Sequence, residues 1–126
     1  LAYLRNKYRI SISILDNDSI AEGKMQDRDL FSGFIKLHIL HHAAHEEIFG
    51  AGMIDELSTH GYTLSPGTLY PMLHKMEVNG YLRSEKREVN GKIRKYYRCT
   101  EDGQRALSLA KEKARELFGE LLEPQA

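Results

Sequence analysis

Residues 64–73 constrain the fold of this chain more than any other segment. Ser65 is a residue type that favours the N-cap of a helix, and Pro66 follows at the first helical position, where proline is tolerated. The apolar residues that come next recur at helical spacing: Leu69, Leu73 and Met76. The polar side chains around them are left to face outward: Ser65, Thr68, Tyr70 and Lys75. The pattern predicts a helix that packs on one side and offers hydroxyl groups and a cation on the other, which is typical of a helix that reads the major groove of DNA.

The other elements place this helix third in a series. Helical periodicity predicts helices at residues 30–44, 48–60 and 65–79. Residues 82–88 and 93–99 are predicted to be strands, because Asn90-Gly91 between them is the strongest short-range signal for a β-hairpin. Three helices followed by a hairpin is the order of elements in a winged helix-turn-helix. The sequence therefore predicts a mainly α fold with a small β-hairpin.

A last helix is predicted to begin after Thr100, a residue type that favours the N-cap. Its apolar residues recur at the spacings of a heptad seam: Leu107, Ala110, Ala114, Leu117 and Leu121. The seam covers only about two heptads, which is too short for an isolated coiled coil. The first helix is apolar around much of its circumference, as in helices that are buried from several sides. Both features predict a homodimer in which the last helix packs against the partner's helices.

These patterns divide the chain into three parts. Residues 1–24 are predicted to form an N-terminal appendage that is either strand-like or disordered; apolar and polar residues alternate over residues 8–14, as in a strand. Residues 25–99 are predicted to form the winged helix-turn-helix domain that binds DNA. Residues 100–126 are predicted to form a C-terminal dimerisation helix and tail.

Cationic side chains are concentrated in the predicted hairpin. The whole chain has a formal net charge of +0, but residues 83–98 hold seven cations and two anions, a net of +5. A basic hairpin alone is often a solvated edge that discourages aggregation. Beside a helix of this kind, it favours phosphate binding. The residues near the turn that are predicted to hold the DNA backbone are Lys92, Arg94 and Lys95.

Four histidines on the first predicted helix form the strongest rival site: His38, His41, His42 and His45. Two pairs have the i, i+4 spacing that can chelate a metal, so a metal-responsive or pH-responsive sensor is an alternative function. Phe49 stands where a zinc-protease helix requires its second histidine. Histidines that are hydrogen-bonded or solvated explain the pattern more simply. The sequence therefore predicts no enzyme, no cofactor and no metal site.

Cysteine content and hydropathy indicate the compartment. Cys99 is the one cysteine, so no internal disulfide forms. No apolar run approaches the length of a membrane span, and the N-terminus lacks the apolar segment of a secretory signal. These features predict a cytoplasmic protein with no membrane partner.

Three blocks of the sequence resemble the PadR family of bacterial transcriptional regulators: residues 64–71, 77–82 and 94–103. The resemblance extends over residues 29–122, and the single short C-terminal helix is similar to that of the short subfamily. It implies a dimeric winged-helix repressor that binds double-stranded operator DNA through sequence-specific contacts. It also implies a small-molecule effector that releases the DNA, as in many family members. A winged-helix domain that binds protein in place of DNA is the other alternative.

Overall fold

The computed structural model describes residues 12–13 and 27–123. The helices in this part of the chain are α1 at Asp27–His45, α2 at Gly50–Thr59, α3 at Pro66–Val78 and α4 at Glu101–Leu121. The strands are β1 at Ile12–Ser13, β2 at Tyr62–Thr63, β3 at Leu82–Val89 and β4 at Lys92–Cys99. β1 pairs with β2 in parallel, and β3 pairs with β4 antiparallel. Apart from Ile12–Ser13, the predicted appendage of residues 1–24 lies outside the described residues.

The helices α1, α2 and α3 pack around one apolar core, which explains why their apolar residues recur at helical spacing. The side chains of these helices with no exposed surface are Ile35, Ile39, Leu57, Leu69 and Leu73. Full burial of such a side chain stabilises the fold by about 1.5–3 kcal/mol. The buried face of α3 is the one that the sequence predicts, so the opposite face of α3 is left for other contacts.

The strands β3 and β4 form the predicted hairpin, with each strand one residue longer at the turn. Asn90 and Gly91 have φ angles of 52° and 78°, the left-handed conformation that a two-residue type I′ turn requires. Val89 pairs with Lys92 directly before the turn. Because side chains alternate between the two faces of a strand, this register decides which cations share a face.

The second predicted helix is wrong at its start, because Ile48 pairs with the hairpin. The N–H of Ile48 donates to the carbonyl of Tyr97 at 3.0 Å, and the N–H of Tyr97 donates to the carbonyl of Ile48 at 2.7 Å. Both side chains are buried. The helix α2 begins only at Gly50. This backbone bridge joins the α1–α2 linker to β4 and holds the hairpin against the helices.

The helix α4 begins where the sequence predicts and packs along α1. Thr100 is its N-cap, and the Thr100 hydroxyl accepts a hydrogen bond from the N–H of Gly103 at 3.0 Å. Leu107 is only 5% exposed and belongs to the core that α1, α2 and α3 share. The first turns of α4 are therefore part of the protomer's own core.

The mainly α fold with a small β-hairpin that the sequence predicts is confirmed. Helix α1 extends three residues beyond its predicted start and one beyond its predicted end, because helix termini carry no apolar periodicity. Within residues 27–123, no helix combines the length and the apolar character needed to cross a bilayer.

Candidate nucleic-acid interface

The exposed face of α3 carries side chains that form hydrogen bonds and carry charge. Tyr70 is 49% exposed, and Lys75 is exposed further along the helix. His74, which the sequence reasoning missed, is exposed one turn after Tyr70 and lies on the same face. Because Leu69 and Leu73 face the core, this face points away from the core, and Tyr70 approaches another helix, at the start of α2. Helix α3 therefore presents a phenol, an imidazole and an ammonium group to solvent.

The first turn of α3 differs from the predicted side-chain cap. Ser65 occupies the N-cap position, but its hydroxyl makes no capping hydrogen bond. The N–H of Thr68 donates instead to the backbone carbonyl of Ser65 at 3.1 Å. The two hydroxyls lie 3.4 Å apart, and both side chains are half-buried. Ser65 and Thr68 thus form a hydroxyl pair at the N-terminus of α3, where the positive end of the helix dipole also lies.

The register of the hairpin sorts its polar side chains onto two faces. The helix face, directed at α3, carries Ser84, Lys86, Lys95 and Tyr97. The linker face, directed at residues 47–49, carries Arg87, Lys92, Arg94, Tyr96 and Arg98. The three predicted phosphate ligands are therefore divided, with Lys95 on the helix face and Lys92 and Arg94 on the linker face.

Cationic residues oppose each other across the two strands. The register pairs Arg83 with Arg98, Lys86 with Lys95, and Arg87 with Arg94. Like charges at directly opposite positions destabilise a sheet. The arrangement therefore costs folding free energy wherever no anion lies nearby, and the carboxylates of Glu47, Glu77 and Glu85 offset only part of it.

On the linker face, Glu47 neutralises two of these cations. Arg87 donates to both carboxylate oxygens of Glu47, at 2.6 and 2.7 Å, and Nε of Arg98 donates at 3.4 Å. The hydrogen bond from Arg87 is the main reason why the pKa of Glu47 falls to about 2. Arg87 also donates to Glu85 at 3.0 Å. Arg87 and Arg98 are thus engaged within the protein.

On the helix face, Glu77 lies beside Lys95. The Nζ atom of Lys95 is 3.5 Å from Oε1 of Glu77, and the Ser84 hydroxyl donates to Oε2. The hydrogen bond from Ser84 is the main cause of the lowered pKa of Glu77, and the charge of Lys95 adds to it. Lys95 is therefore weakly held at the edge of α3.

The other cations of the hairpin have no carboxylate partner in the described part of the chain: Arg83, Lys86, Lys92 and Arg94. Arg94 lies over the ring of Phe49, 4.3 Å from the ring centroid, and Phe49 packs edge-on against Tyr96 at 5.8 Å. A cation–π contact holds the guanidinium group in place without neutralising its charge. These cations are available to an anionic partner.

Helix α3 and strand β4 border a common groove of about 490 Å³. Its lining residues come from both elements, from β3 and from the start of α2: Gly50, Tyr70, His74, Lys86, Ile93, Arg94, Lys95 and Tyr97. The groove brings the exposed face of α3 together with cations of the hairpin. Lys86 is one of the seven hairpin cations counted in the sequence but is not among the predicted phosphate ligands; the register places it directly opposite Lys95.

Gly50 lets the start of α2 approach this groove closely. A Cβ atom at Gly50 would overlap the ring of Tyr70. Only glycine fits at this position while Tyr70 keeps its place. The backbone of α2 therefore fixes the position of a side chain on α3.

A second surface, the apolar surface, lies along α1 and α4. Exposed apolar side chains border the groove between the two helices: Phe34, Leu109, Leu117 and Phe118. Ala110 and Ala114 are half-buried in the same groove, and Leu121, 65% exposed, follows one turn after Leu117. Leu107 faces the protomer's own core instead. Of the predicted dimerisation residues, the last four thus lie on or beside an open apolar face.

The structure gathers only part of the predicted histidine cluster. His38 and His42 come together with His60, which no sequence pattern connects with them. His41 and His45 are not part of this group; Nδ1 of His45 lies 2.7 Å from the carbonyl of His41. Burial is the main cause, ahead of the neighbouring histidines, of a His38 pKa lowered to about 4.

Comparison with known sequences assigns this chain to a family. Residues 39–109 match the family described as the transcriptional regulator PadR-like family. The transcriptional regulator Rv3488 of Mycobacterium tuberculosis is 48% identical over 99 residues, which span 79% of this chain and 92% of that protein. The family match includes α3, the hairpin and the start of α4.

Solved structures agree with this assignment. A PadR family transcriptional regulator from Eggerthella lenta is 32% identical, with a TM-score of 0.66, over 77% of this chain and 88% of that one. A PadR-like transcriptional regulator from Bacillus cereus is 26% identical, with a TM-score of 0.65, over 76% and 98%. The predicted resemblance and the winged-helix fold are confirmed, and the assigned role is regulation of transcription and not enzyme catalysis. This chain belongs to the PadR-like family of transcriptional regulators.

Proposed function

We propose that this regulator binds double-stranded operator DNA as a homodimer and acts as a repressor. In each protomer, the N-terminal half of α3 enters the major groove, and the hairpin lies as a wing against flanking phosphates. The residues assigned to DNA contacts are Ser65, Thr68, Tyr70, Lys75, Lys92, Arg94 and Lys95. A bacterial regulator of this kind acts in the cytoplasm, where its DNA lies.

The groove shared by α3 and β4 is the observation that carries this proposal. Tyr70 and His74 of α3 line it together with Lys86, Arg94 and Lys95 of the hairpin. A duplex seated there meets hydrogen-bonding groups and positive charge at the same time. Contacts from the hairpin to phosphates hold the register, and side chains of α3 meet base edges.

The opposed cations support an anionic ligand. Lys86 and Lys95 lie directly across from each other, so their repulsion is relieved when an anion binds between them. A DNA backbone supplies such anions, and each neutralised phosphate releases a counterion. Glu77, 3.5 Å from Lys95, competes only weakly at that distance. We therefore add Lys86 to the DNA-contact residues.

The side chains of α3 differ in chemistry, so we assign them to different parts of the DNA. The hydroxyls of Ser65 and Thr68 lie at the N-terminus of α3, where the positive end of the helix dipole favours a phosphate. Tyr70 and His74 offer a hydroxyl group and a ring nitrogen to base edges. The ammonium group of Lys75 neutralises a further phosphate.

The apolar surface supports the homodimer. Exposed apolar patches on a soluble protein mark interaction sites, and Leu117 and Leu121 lie on this one. Ala110 and Ala114 are small enough to let a partner helix approach closely. A two-fold dimer presents two copies of α3 to successive turns of the duplex, with half-sites about 34 Å apart.

Repression is the sense of regulation that we expect, since a dimer seated on its operator excludes other proteins from that stretch of duplex. Release by a small-molecule effector stays a prediction from the family resemblance. A duplex neutralises the opposed cations along the groove, whereas an uncharged protein surface would leave their repulsion in place.

Selection of genomic DNA tests the proposal. Purified protein is incubated with sheared DNA of the organism that encodes it, and the retained fragments are sequenced at several salt concentrations. We expect sites with two-fold symmetry, whose binding weakens as salt rises. Failure to retain fragments even at low salt would overturn the proposal and favour a protein-binding role. Retained sites without two-fold symmetry would overturn the dimeric arrangement.

A further inference from the structure

Three histidines meet outside the groove between α3 and the hairpin, where α1 passes the end of α2. His38 and His42 lie one turn apart on α1, and His60 is the C-cap residue of α2. Their candidate ligand nitrogens all lie within 4.8 Å of one another. All three side chains are half-buried, so the surrounding packing limits the motion of the rings while solvent still reaches them.

Glu56 adds a carboxylate to this cluster. Its Oε1 atom lies 3.3 Å from Nε2 of His42 and 3.2 Å from Nε2 of His60. Glu56 and His60 are four positions apart, at the end of α2, and therefore share a face. The four side chains come from two elements whose packing already places them together.

We propose that His38, His42 and His60 bind a divalent transition-metal ion of the Zn²⁺ type, with Glu56 as the fourth ligand. Imidazole nitrogens and a carboxylate oxygen are ligands that Zn²⁺ accepts in tetrahedral geometry. A set dominated by imidazole favours zinc and its neighbours over magnesium or calcium, which prefer oxygen.

The distances in the cluster fit a tetrahedral ion. With metal–ligand bonds of about 2.0–2.1 Å, neighbouring ligand atoms of a tetrahedron lie about 3.3 Å apart. The two separations between Glu56 and its histidines already have this length. The histidine nitrogens lie up to 4.8 Å apart, so metal binding requires the half-buried rings to rotate and bring these nitrogens roughly 1.5 Å closer.

A second carboxylate, that of Glu46, lies on the far side of His42. Oε1 of Glu46 lies 4.0 Å from Nδ1 of His42, the ring nitrogen that does not face Glu56. At that distance the carboxylate attracts the ring N–H only electrostatically, and a closer approach on metal binding would orient the ring.

Two rival arrangements define the test. His41 and His45 have the same spacing on α1 as His38 and His42, so a metal held by that second pair is one rival. The other is a hydrogen-bonded cluster without a metal, in which His42 and His60 donate to Glu56.

Titration with Zn²⁺ decides whether a site exists. Protein without a histidine tag is treated with EDTA, dialysed, and titrated with Zn²⁺ by calorimetry. We expect one equivalent of Zn²⁺ per chain and a higher Tm in its presence, because a ligand that binds the folded state stabilises it. A titration without binding overturns the proposal and leaves the hydrogen-bonded cluster. DNA binding is measured separately, so either proposal can fail alone.

Variants decide which histidines hold the ion. His42→Ala, His60→Ala and Glu56→Gln each remove a ligand, and we expect zinc affinity to fall by at least about tenfold. The matched control, His41→Ala with His45→Ala, removes two histidines from the same helix and should keep both affinity and stoichiometry. Loss of binding in the control, with binding kept in the first three variants, would show that the ligands are wrongly assigned.

Cobalt gives a readout that does not depend on stability. Co²⁺ absorbs visible light strongly in a tetrahedral site and weakly in a six-coordinate one, so the spectrum reports the geometry. We expect the tetrahedral spectrum in the natural chain and its loss in Glu56→Gln, whose folding is checked by circular dichroism. A six-coordinate spectrum in the natural chain, or an unchanged spectrum in folded Glu56→Gln, would overturn the assignment of Glu56.

Discussion

The groove between α3 and the hairpin and the apolar surface along α1 and α4 have opposite chemistry, although the chain has a formal net charge of +0. The groove is lined by Lys86, Arg94 and Lys95 together with hydrogen-bonding groups of α3. The apolar surface exposes Phe34 and Leu117 beside small alanines. The difference teaches that net charge is a poor guide to partners when charge is segregated on the surface.

The same difference predicts two kinds of salt dependence. Contacts between cations and phosphates weaken as salt rises, because they depend on counterion release. Burial of apolar surface is not screened in this way. DNA affinity and dimer affinity should therefore respond differently to ionic strength, and variants in each region should alter only their own response.

The largest effect is expected from a charge on the apolar surface. Leu117→Glu places a carboxylate in the proposed dimer contact, where its desolvation is costly, so we expect the dimer to dissociate. Because two linked half-sites gain avidity, affinity for the selected operator then falls by roughly a hundredfold or more. Sedimentation velocity measures the oligomeric state, and fluorescence anisotropy measures the binding.

Gln104→Glu is the control for this substitution, since it adds the same charge at an exposed position near the start of α4. It should remain dimeric and bind the operator as the natural chain does. A Leu117→Glu variant that is still dimeric would show that the dimer forms through another surface.

The second largest effect on DNA binding is expected when cations of the hairpin are removed. When Lys92, Arg94 and Lys95 are replaced together by glutamine, three phosphate contacts disappear, and the slope of log K against log salt should fall by about 2.7. Affinity for specific and random duplexes should fall alike, because phosphates carry no sequence information. Anisotropy titrations over a series of salt concentrations measure both. An unchanged slope would remove the hairpin from the interface.

The matched control makes the same change of charge away from the groove. Lys36, Arg105 and Arg115 are exposed on α1 and α4, and they too are replaced by glutamine. The salt slope should stay near that of the natural chain. A slope that falls equally in the control would mean that total charge, and not its location, sets the affinity.

Gly50 connects the groove with the stability of the fold. In Gly50→Ala the new Cβ overlaps the ring of Tyr70, so either the ring or the start of α2 has to move. Such overpacking costs about 1–3 kcal/mol. Gly33→Ala is the control, because outside its own helix backbone and chain neighbours no described residue has an atom within 4 Å of the new Cβ, and it should stabilise α1 by about 0.5–1 kcal/mol. Denaturant unfolding compares the two, and equal stabilities would contradict the close approach.

The smallest effect is expected from Glu47. In Glu47→Gln, Arg87 and Arg98 lose their carboxylate partner, and the salt slope of DNA binding should steepen by up to about 1.8. The pKa of Glu47 is lowered from 4.5 to about 2, so its stabilising contribution is present above pH 4.5 and is lost as pH falls toward 2. Unfolding measured from pH 7 to pH 2 should therefore show a smaller acid loss in the variant.

Glu88→Gln controls for the change in charge alone, since Glu88 is exposed on the same hairpin and makes no ion pair with any described residue. It should alter the slope less than Glu47→Gln. Equal slopes in the two variants would show that the arginines were already free to bind phosphate.

Contacts between neighbours in sequence could be predicted, and contacts between distant residues could not. Asn90-Gly91 predicts its own turn, and the spacing of Leu69 and Leu73 predicts the buried face of α3; both are confirmed. The ion pair between Glu47 and Arg87 joins residues 40 positions apart. No local pattern reports such a pair, because it depends on how the linker packs against the hairpin.

The same distinction between local and distant contacts applies to the candidate sites. Tyr70 and Lys75 could be placed on the exposed face of α3 from helical spacing, although their contacts with DNA stay predictions. His60 could not be joined to His38, because only the packing of α2 against α1 brings the rings together. The sequence therefore found one pair of the histidine cluster and missed the third member.

The α1–α2 linker holds the hairpin at three successive residues. Glu47 contributes an ion pair, Ile48 a two-way backbone pair, and Phe49 a cation–π contact. Since this linker begins where α1 ends, it couples the position of the hairpin to that of α1. A partner that tilts α1 would therefore move the hairpin cations relative to α3 and change the affinity for a duplex without contacting α3.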